Sequence, residues 1–363
     1  MSDAKFDELL RWGKENGLQL NGVEFRHIDD HKGYGLIATR DLECGEVVLT
    51  TNFKTDLNTL TLKSNPNYSD IQGKLINLNE DEQLVLVLAT EKAKGDLSFY
   101  LPYLSYLPEV FNFGSTEIDL ETLPTTVHNL YNVARTRKLA IINNVLQKGS
   151  PSRLARKHVN WACQILHSRS FKVKRFNETI VFITPFIDLV NASQQPNAVN
   201  ENCSNTDAEV YGRIVTTHRV NKGSEVCLSY AQEYTNMELW FHHGFTYETN
   251  EQSKTIILTI DEIVSILQAI DVVNHTVKGN NKTATIIENR EISRFANIYF
   301  ENLFKNYGES ARGSRHLSSD EVKIEFFRKL REDRLMRMGN AVEELKFVWN
   351  DEVQLIADVL KRL

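Results

Sequence analysis

From residue 3 to 16 the apolar positions Phe6, Leu9, Leu10 and Trp12 recur at near-helical spacing, with Gly17 behind them. That pattern predicts a short opening helix. It gives way to "VEFRHIDDHKGYGLIATRDLECGEVVLT", where β-rich pieces alternate with Asp-Asp, Gly-x-Gly and Cys-Gly turn signals. A meander of short strands is expected there. From about residue 60 to 165 the pattern becomes helical: Asn79 with Glu82 three residues later forms a capping box ahead of "LVLVLATEKAKG", which Gly95 closes. "FYLPYLSYLPEVF" interrupts with two prolines, and helical stretches resume in "TVHNLYNVARTRKLAIINNVL" and "SRLARKHVNWACQILHSR". β signals return in "ETIVFITPFIDLV", "EVYGRIVTTHRV" and "SEVCLSYA", the last after a Lys222-Gly223 turn. Helices thus sit as an insertion inside a β unit.

Beyond Asn250 the pattern shifts again. "DEIVSILQAI" places Ile263, Ile266, Leu267 and Ile270 at i, i+3, i+4 and i+7, and "EISRFANIYFENLFKNYG" and most of residues 319–363 are similarly amphipathic. The expectation is a β-rich domain over residues 1–249 and a separate helical domain over 250–363, joined by a linker near 247–254. There is no internal repeat and no low-complexity segment.

The composition, 41% apolar and 25% charged over 363 residues, is that of an ordinary globular protein long enough for two domains. A formal net charge of −6 argues against a phosphate-backbone binder. The locally basic "KHVNWACQILHSRSFKVKR" reads as a solvated helix face. Cys44, Cys163, Cys203 and Cys227 lie far apart without a C-x-x-C pair, so neither a zinc knuckle nor a disulfide framework is suggested. The amino terminus lacks the basic-then-apolar layout of a secretory signal, and no apolar run approaches ~18 residues. A cytoplasmic or nuclear protein without a membrane partner is expected.

"GYGLIA", Gly33 to Ala38, satisfies the loose dinucleotide pattern G-x-G-x-x-A. That motif needs a following helix whose amino terminus faces a pyrophosphate, whereas β-favouring residues and the turn "DLECGE" follow here. Two readings remain: a plain hairpin glycine pair, or glycines that let the backbone approach a flat ligand.

Three separated stretches bear on that choice. "KGYGLIATRDLECGEVVL", "DLVNASQQPNAV" and "GSEVCLSYAQEYTNMELWFHHGF" resemble, in this order, the signatures of the SET-domain methyltransferases. "SFYLPYLSYLP", and "HSRSF" followed by "PFIDLVN", resemble the branch typified by the Rubisco large-subunit methyltransferase. Recognisable motifs span roughly residues 20 to 250. The resemblance implies an α+β fold: a β-rich SET fold of short strands with a pseudo-knot, split by a helical insertion at about 60–165, plus an all-α carboxy-terminal substrate-binding domain.

The resemblance also implies a chemistry, transfer of the methyl group of S-adenosyl-L-methionine to a protein side chain, usually lysine. By motif, Tyr230 in "LSYAQ" matches the catalytic tyrosine, and Arg169 in "HSRSF" matches the arginine that holds the cofactor's carboxylate end. Lys32, Gly33 and Tyr34 match a stretch that meets the cofactor mainly through its backbone, and Gly244 and Phe245 match the pair that closes over it. Asp188 matches an aspartate shaping the pocket, Asn191 the asparagine at the knot-like crossing, and Asp188, Tyr211 and His243 the substrate side. Two positions depart from the pattern: Ala192 stands where the family has histidine after the asparagine, and His243 where the plant enzyme's pattern has tyrosine. Ala192 removes an imidazole's hydrogen bonding, and His243 changes the polarity of the substrate channel. Each residue also has a plainer reading: a core tyrosine at a strand end, an arginine at a helix end, a strand-end aspartate cap, a histidine that packs.

The expected function is therefore protein-lysine methylation by a monomer. The family's typical histone enzymes carry flanking cysteine clusters that are missing here, so a non-histone protein is the expected substrate, with a ribosomal or translation component as the specific guess. Methylation of a protein histidine and a catalytically silent SET-fold binding module remain as alternatives. No metal and no nucleic acid are expected.

Overall fold

The computed structural model of the protein describes residues 4–29, 32–52, 55–59, 68–109, 123–149, 154–175, 178–202, 210–230, 233–247, 250, 252, 256–269, 283–288, 291–293, 296, 319–340 and 346–363. The chain divides into two compact units, Met1–Ser115 with Thr136–Gln232 and Thr116–Arg135 with Glu233–Leu363. The division comes before the boundary expected at 249/250 and assigns a strip of the insertion to the second unit. Most of the expected linker near 247–254 lies outside the described residues.

In the first unit, α1 (Ala4–Glu15) buries Phe6, Leu9 and Trp12, as its spacing requires. β1 (Gln19–Leu20), β2 (Val23–Asp29), β3 (Gly33–Ala38), β4 (Val47–Asn52) and β5 (Leu57–Asn58) follow. The insertion carries α2 (Ser69–Leu75), α3 (Glu80–Lys94), α4 (Leu101–Tyr106), α5 (Thr125–Asn144), whose residues up to Arg135 fall in the second unit, and α6 (Arg156–Arg169). After it come β6 (Phe171–Arg175), β7 (Glu178–Ile183), β8 (Ala198–Asn202), β9 (Val210–Thr216) and β10 (Glu225–Val226). The strands form three small sheets, ordered β1-β4-β9-β8, β10-β3-β2 and β5-β7-β6, and every pairing is antiparallel.

The predicted capping box is present. The Asn79 side chain accepts from the Glu82 amide at 3.0 Å, and the Glu82 carboxylate accepts from the Asn79 amide at 3.0 Å. Behind it, Leu84 to Ala89 are buried on every side of α3, which packs against α6 and β7. A helix apolar all round belongs in a core, and α3 is the centre of the insertion.

"ETIVFITPFIDLV" reads as one buried strand, and the structure corrects this. β7 ends at Ile183; Phe186 takes a positive φ of 76°, and Ile187–Leu189 form a single 3₁₀ turn. Thr184-Pro185 breaks the ladder because proline has no amide to donate. A non-glycine residue in that region costs about 1–3 kcal/mol, and the packing of the buried Phe186 ring offsets it. Gly13 leaves room for that ring, since a Cβ there would overlap its Cζ.

In the second unit lie α7 (Asn236–His243), β11 (Ile256–Thr259), α8 (Ile260–Ala269), β12 (Thr283–Glu288), β13 (Glu291–Ile292), α9 (Ser319–Asn340) and α10 (Lys346–Leu360). The expected helical character is there in α8, α9 and α10, and α8 buries Ile263, Val264, Ile266 and Leu267. With it comes an antiparallel sheet, β11-β12-β13, that helical periodicity did not disclose. The stretch "EISRFANIYFENLFKNYG", expected to be helical, opens instead on strand β13, and most of its remainder lies, with Ile270, outside the described residues. Arg334 of α9 is fully buried and reaches Glu352 at 2.8 Å, Glu262 at 3.1 Å and Asp333 at 2.6 Å. Thr126 donates its hydroxyl to Glu352, and Thr125 to Glu262 at 3.0 Å. Among the described residues, no helix is long and apolar enough to cross a membrane.

Candidate active site

The expected dinucleotide look-alike "GYGLIA" is strand β3 throughout, paired with β2 on one side and β10 on the other. Its two glycines differ in cause. Gly33 has a φ of +65°, which disfavours a side chain, and a Cβ there would stand in open space. Gly35 is crowded instead: a Cβ would overlap the Glu225 carboxylate and sit 3.0 Å from Asn191 Nδ2. The Tyr34 ring is stacked on Phe6 with centroids 3.6 Å apart, so the carbonyl is the part of Tyr34 that faces the crossing described next. Lys32 donates its amide to Asp29 at 2.7 Å and extends an exposed ammonium 3.8 Å from Glu225.

Segment 190–198 and segment 225–230 cross and are stitched together by backbone bonds. Leu228 N donates to Asn191 O at 2.9 Å, and Ser193 N to Leu228 O at 2.9 Å, around a parallel bridge between Ala192 and Leu228. The Asn197 side chain closes the far end, accepting from Cys227 N and donating to Glu225 O, both at 2.9 Å. Ala192 joins this crossing through its main chain. The Tyr230 hydroxyl donates to Val190 O at 3.0 Å, which fixes the phenol beside the same segment. Burial, with the Glu225 carboxylate adding to it, pushes the Cys227 thiol up to about 12, so it does not serve as a nucleophile at neutral pH.

Arg169 ends α6, and Asp188 sits on the 3₁₀ turn. Arg169 Nη1 donates to Asp188 Oδ2 at 3.0 Å and to Asp188 O at 3.2 Å. Tyr103 of α4, wholly buried, donates its hydroxyl to the same Oδ2 at 2.7 Å. Burial raises the Asp188 carboxyl above its ordinary value, although Arg169 and Tyr103 pull it down. Burial is the largest single influence on Arg169 and works against its charge, but Asp188, Tyr103 and Tyr230 together outweigh it and the guanidinium is raised. Among the described residues, buried Arg169 Nε and Asp188 Oδ1 have no hydrogen-bond partner.

Arg169, Asp188, Asn191, Ala192, Tyr230 and the Lys32–Tyr34 stretch are therefore all part of the first unit, the last four joined through the crossing and the Asn191–Tyr34 bond. Tyr211 lies on β9, and its side chain is outside the described residues. His243, Gly244 and Phe245 belong to the second unit at the end of α7. There Gly244 is a left-handed helix stop at φ 79°, its amide donating to Leu239 O and Trp240 O, and His243 packs 6.2 Å from the Tyr234 ring and 6.1 Å from Phe245.

Sequence reasoning passed over Tyr103 and Glu225. Tyr103 is indistinguishable by spacing from the core residues beside it in "YLPYLSYLP". Glu225 carried a weak signal, a lone acid between two turn residues and the buried Val226.

The actin-histidine N-methyltransferase of Gallus gallus is 24% identical over 276 residues, covering 70% of this chain and 44% of that protein. The ribosomal lysine N-methyltransferase set10 of Schizosaccharomyces pombe is 26% identical over 266 residues, covering 67% of this chain and 46% of that protein. The chain thus spans less than half the length of these relatives. Among solved structures, the SET domain of LSMT bound to lysine and AdoHcy superposes with a TM-score of 0.63 at 16% identity, over 99% of this chain and 90% of that one. Rubisco LSMT bound to AdoMet gives 0.62 at 18% identity, over 99% and 91%. These likenesses place the fold. The SET-domain profile matches residues 33–231, more than half of the chain and the stretch that contains both segments of the crossing, so this chain belongs to the SET-domain family.

Proposed function

We propose that the chain is an S-adenosylmethionine-dependent protein N-methyltransferase whose acceptor is a lysine of a non-histone protein, a ribosomal protein first among candidates. The observation that carries this reading is the Tyr230 hydroxyl pinned at 3.0 Å to Val190 O at the crossing. With its proton committed to that carbonyl, the phenolic oxygen offers an incoming amine an acceptor for N–H, which orients the nitrogen lone pair. The amine must arrive neutral. A lysine of ordinary pKa ~10.4 is neutral about once in 10³ at pH 7, a cost of roughly 4–5 kcal/mol. When bound, the cofactor supplies the methyl group and a sulfonium charge that disfavours an ammonium neighbour.

The residues present fit that cofactor. Arg169 carries a buried Nε with no partner among the described residues and a side chain one-fifth exposed at 21%, suited to a carboxylate. Gly33 leaves open space where a side chain would stand, and Asn191 supplies an amide at the crossing. Arg169 and Asn191 would hold the polar end, and the Lys32–Tyr34 backbone would line the approach. Ala192 keeps its main-chain bridge to Leu228, which supports a functional pocket despite the missing imidazole.

A second reading, a histidine acceptor, is favoured by relatives named actin-histidine N-methyltransferase and by His243 at a position expected to be tyrosine. A labelled methyl donor added to extract from cells lacking the protein, followed by peptide mapping, decides between them. Label on lysine is expected; label on histidine would replace the first reading. Tyr230→Phe should lower transfer by about 10²-fold while leaving thermal stabilisation by S-adenosylmethionine intact. A fully active variant would remove Tyr230 from its role, and no stabilisation at millimolar cofactor would leave a non-catalytic module.

A further inference from the structure

We infer that Glu225 is a positioning residue that fixes which face of the Asn191 amide a bound ligand meets, an inference that rests on the proposed methyl-transfer function. Asn191 Nδ2 donates twice, to Glu225 Oε1 at 2.8 Å and to Tyr34 O at 3.3 Å. Both partners are pure acceptors. Turning the amide over would set its oxygen against a carboxylate and a carbonyl, so one orientation is enforced. The amide oxygen Oδ1 is thereby directed away from both, and among the described residues nothing bonds to it.

The pair is held from both ends. Leu228 N fixes the Asn191 carbonyl, and Asn197 Nδ2 fixes the Glu225 carbonyl, each at 2.9 Å. Gly35 supplies the space, since any Cβ there would strike Glu225 and crowd Asn191. Charge then selects the ligand group. The Glu225 side chain is 18% exposed, and its ion-pair partner among the described residues is Lys32, loosely placed at 3.8 Å on an exposed stem. A carboxylate so weakly neutralised favours a cationic donor over a neutral one at Oδ1. The group that fits is an alkylammonium, such as the amino-acid end of the methyl donor, rather than the adenine amine.

Two probes separate these ends: S-adenosylhomocysteine, and 5′-methylthioadenosine, which keeps the nucleoside and lacks the amino acid. Calorimetric titration of the full chain is expected to show that Glu225→Ala weakens the first about tenfold or more and the second less than about twofold. Glu225→Gln, which retains an acceptor oxygen for the Asn191 amide but not the charge, should restore part of the loss. In an Asn191→Ala background, Glu225→Ala should add only a minor further loss, because the residue acts mainly through the asparagine. Should Glu225→Ala not fold, Glu225→Met reads the same way, keeping the stem without an acceptor. Equal weakening of both probes, or a full additional loss on top of Asn191→Ala, would overturn the inference while leaving the methyl-transfer reading in place. A wild-type chain that binds neither probe would overturn both.

Discussion

Tyr103 and Asp188, 85 residues apart, meet at 2.7 Å, and the carboxylate oxygen that accepts the phenol also accepts Arg169. The insertion thereby sets the position of a guanidinium on which cofactor binding is proposed to depend. Asp188 is a buried charge held by two donors. Tyr103→Phe removes one of them, and urea unfolding is expected to show a loss of about 1–3 kcal/mol. An unchanged unfolding midpoint would mean the hydroxyl is idle.

Gly35→Ala tests the crowding at the crossing. The added methyl meets the Glu225 carboxylate and the Asn191 amide, neither at the end of a freely swinging chain. Overpacking of this kind costs about 1–3 kcal/mol, and a thermal melt should register it. Gly33→Ala, where a Cβ meets nothing, is strained only through its backbone φ of +65°. Equal binding of S-adenosylhomocysteine by wild type and Gly35→Ala would argue that the Glu225–Asn191 pair tolerates displacement.

In the second unit, Arg334→Met leaves Glu352 buried without its cation. Breaking a buried pair from one side typically costs 3–5 kcal/mol, so chemical denaturation should show about that loss. Adding Glu352→Gln to Arg334→Met should recover part of it, since an amide needs no counter-charge.

Glu262 gives the same network a pH signature. Burial, the largest single influence, would raise its carboxyl, but Arg334 and the hydrogen bonds from Thr259 and Thr125 together outweigh burial and hold it below the ordinary glutamate value. Its contribution is therefore complete above the unfolded value and is lost as pH falls through the lower folded one. Glu262→Gln should be less stable than wild type at pH 7, and the gap should close on acidification through that window. Glu352 titrates in the opposite sense, raised by burial, so it cannot produce the same closing gap. A difference that stays constant with pH would show that Glu262 contributes only a neutral hydrogen bond.

The elements that were legible in the sequence have local causes. The Asn79–Glu82 box, the Phe6-Leu9-Trp12 spacing and the Lys222-Gly223 turn are settled within a few residues, and the structure places each where the pattern did. What escaped is non-local. The 3₁₀ turn at Ile187–Leu189 exists because Phe186 finds room over Gly13, and Tyr103 becomes polar in function only through Asp188 far along the chain. The β11-β12-β13 sheet was hidden because "TIILTI" is too short for alternation to outvote the helix that follows. Asn191 and Tyr230 were named by motif and the structure places both at the crossing, whereas Glu225, inside the same motif, emerged only from its distance to the Asn191 amide.

The crossing also sets an order in time. Its hydrogen bonds join Asn191 to residues 157 positions before it and 34 after it, and Tyr230 to a carbonyl 40 positions earlier. Contacts of such span form only after the intervening loops have closed. A nascent chain released up to Ser224 has every strand of the first unit but β10, and neither the clamp on Asn191 nor the phenol of Tyr230. On the proposed function, competence to bind the methyl donor should therefore arrive abruptly, only once Tyr230 has emerged, and serve as a reporter that the whole first unit has folded.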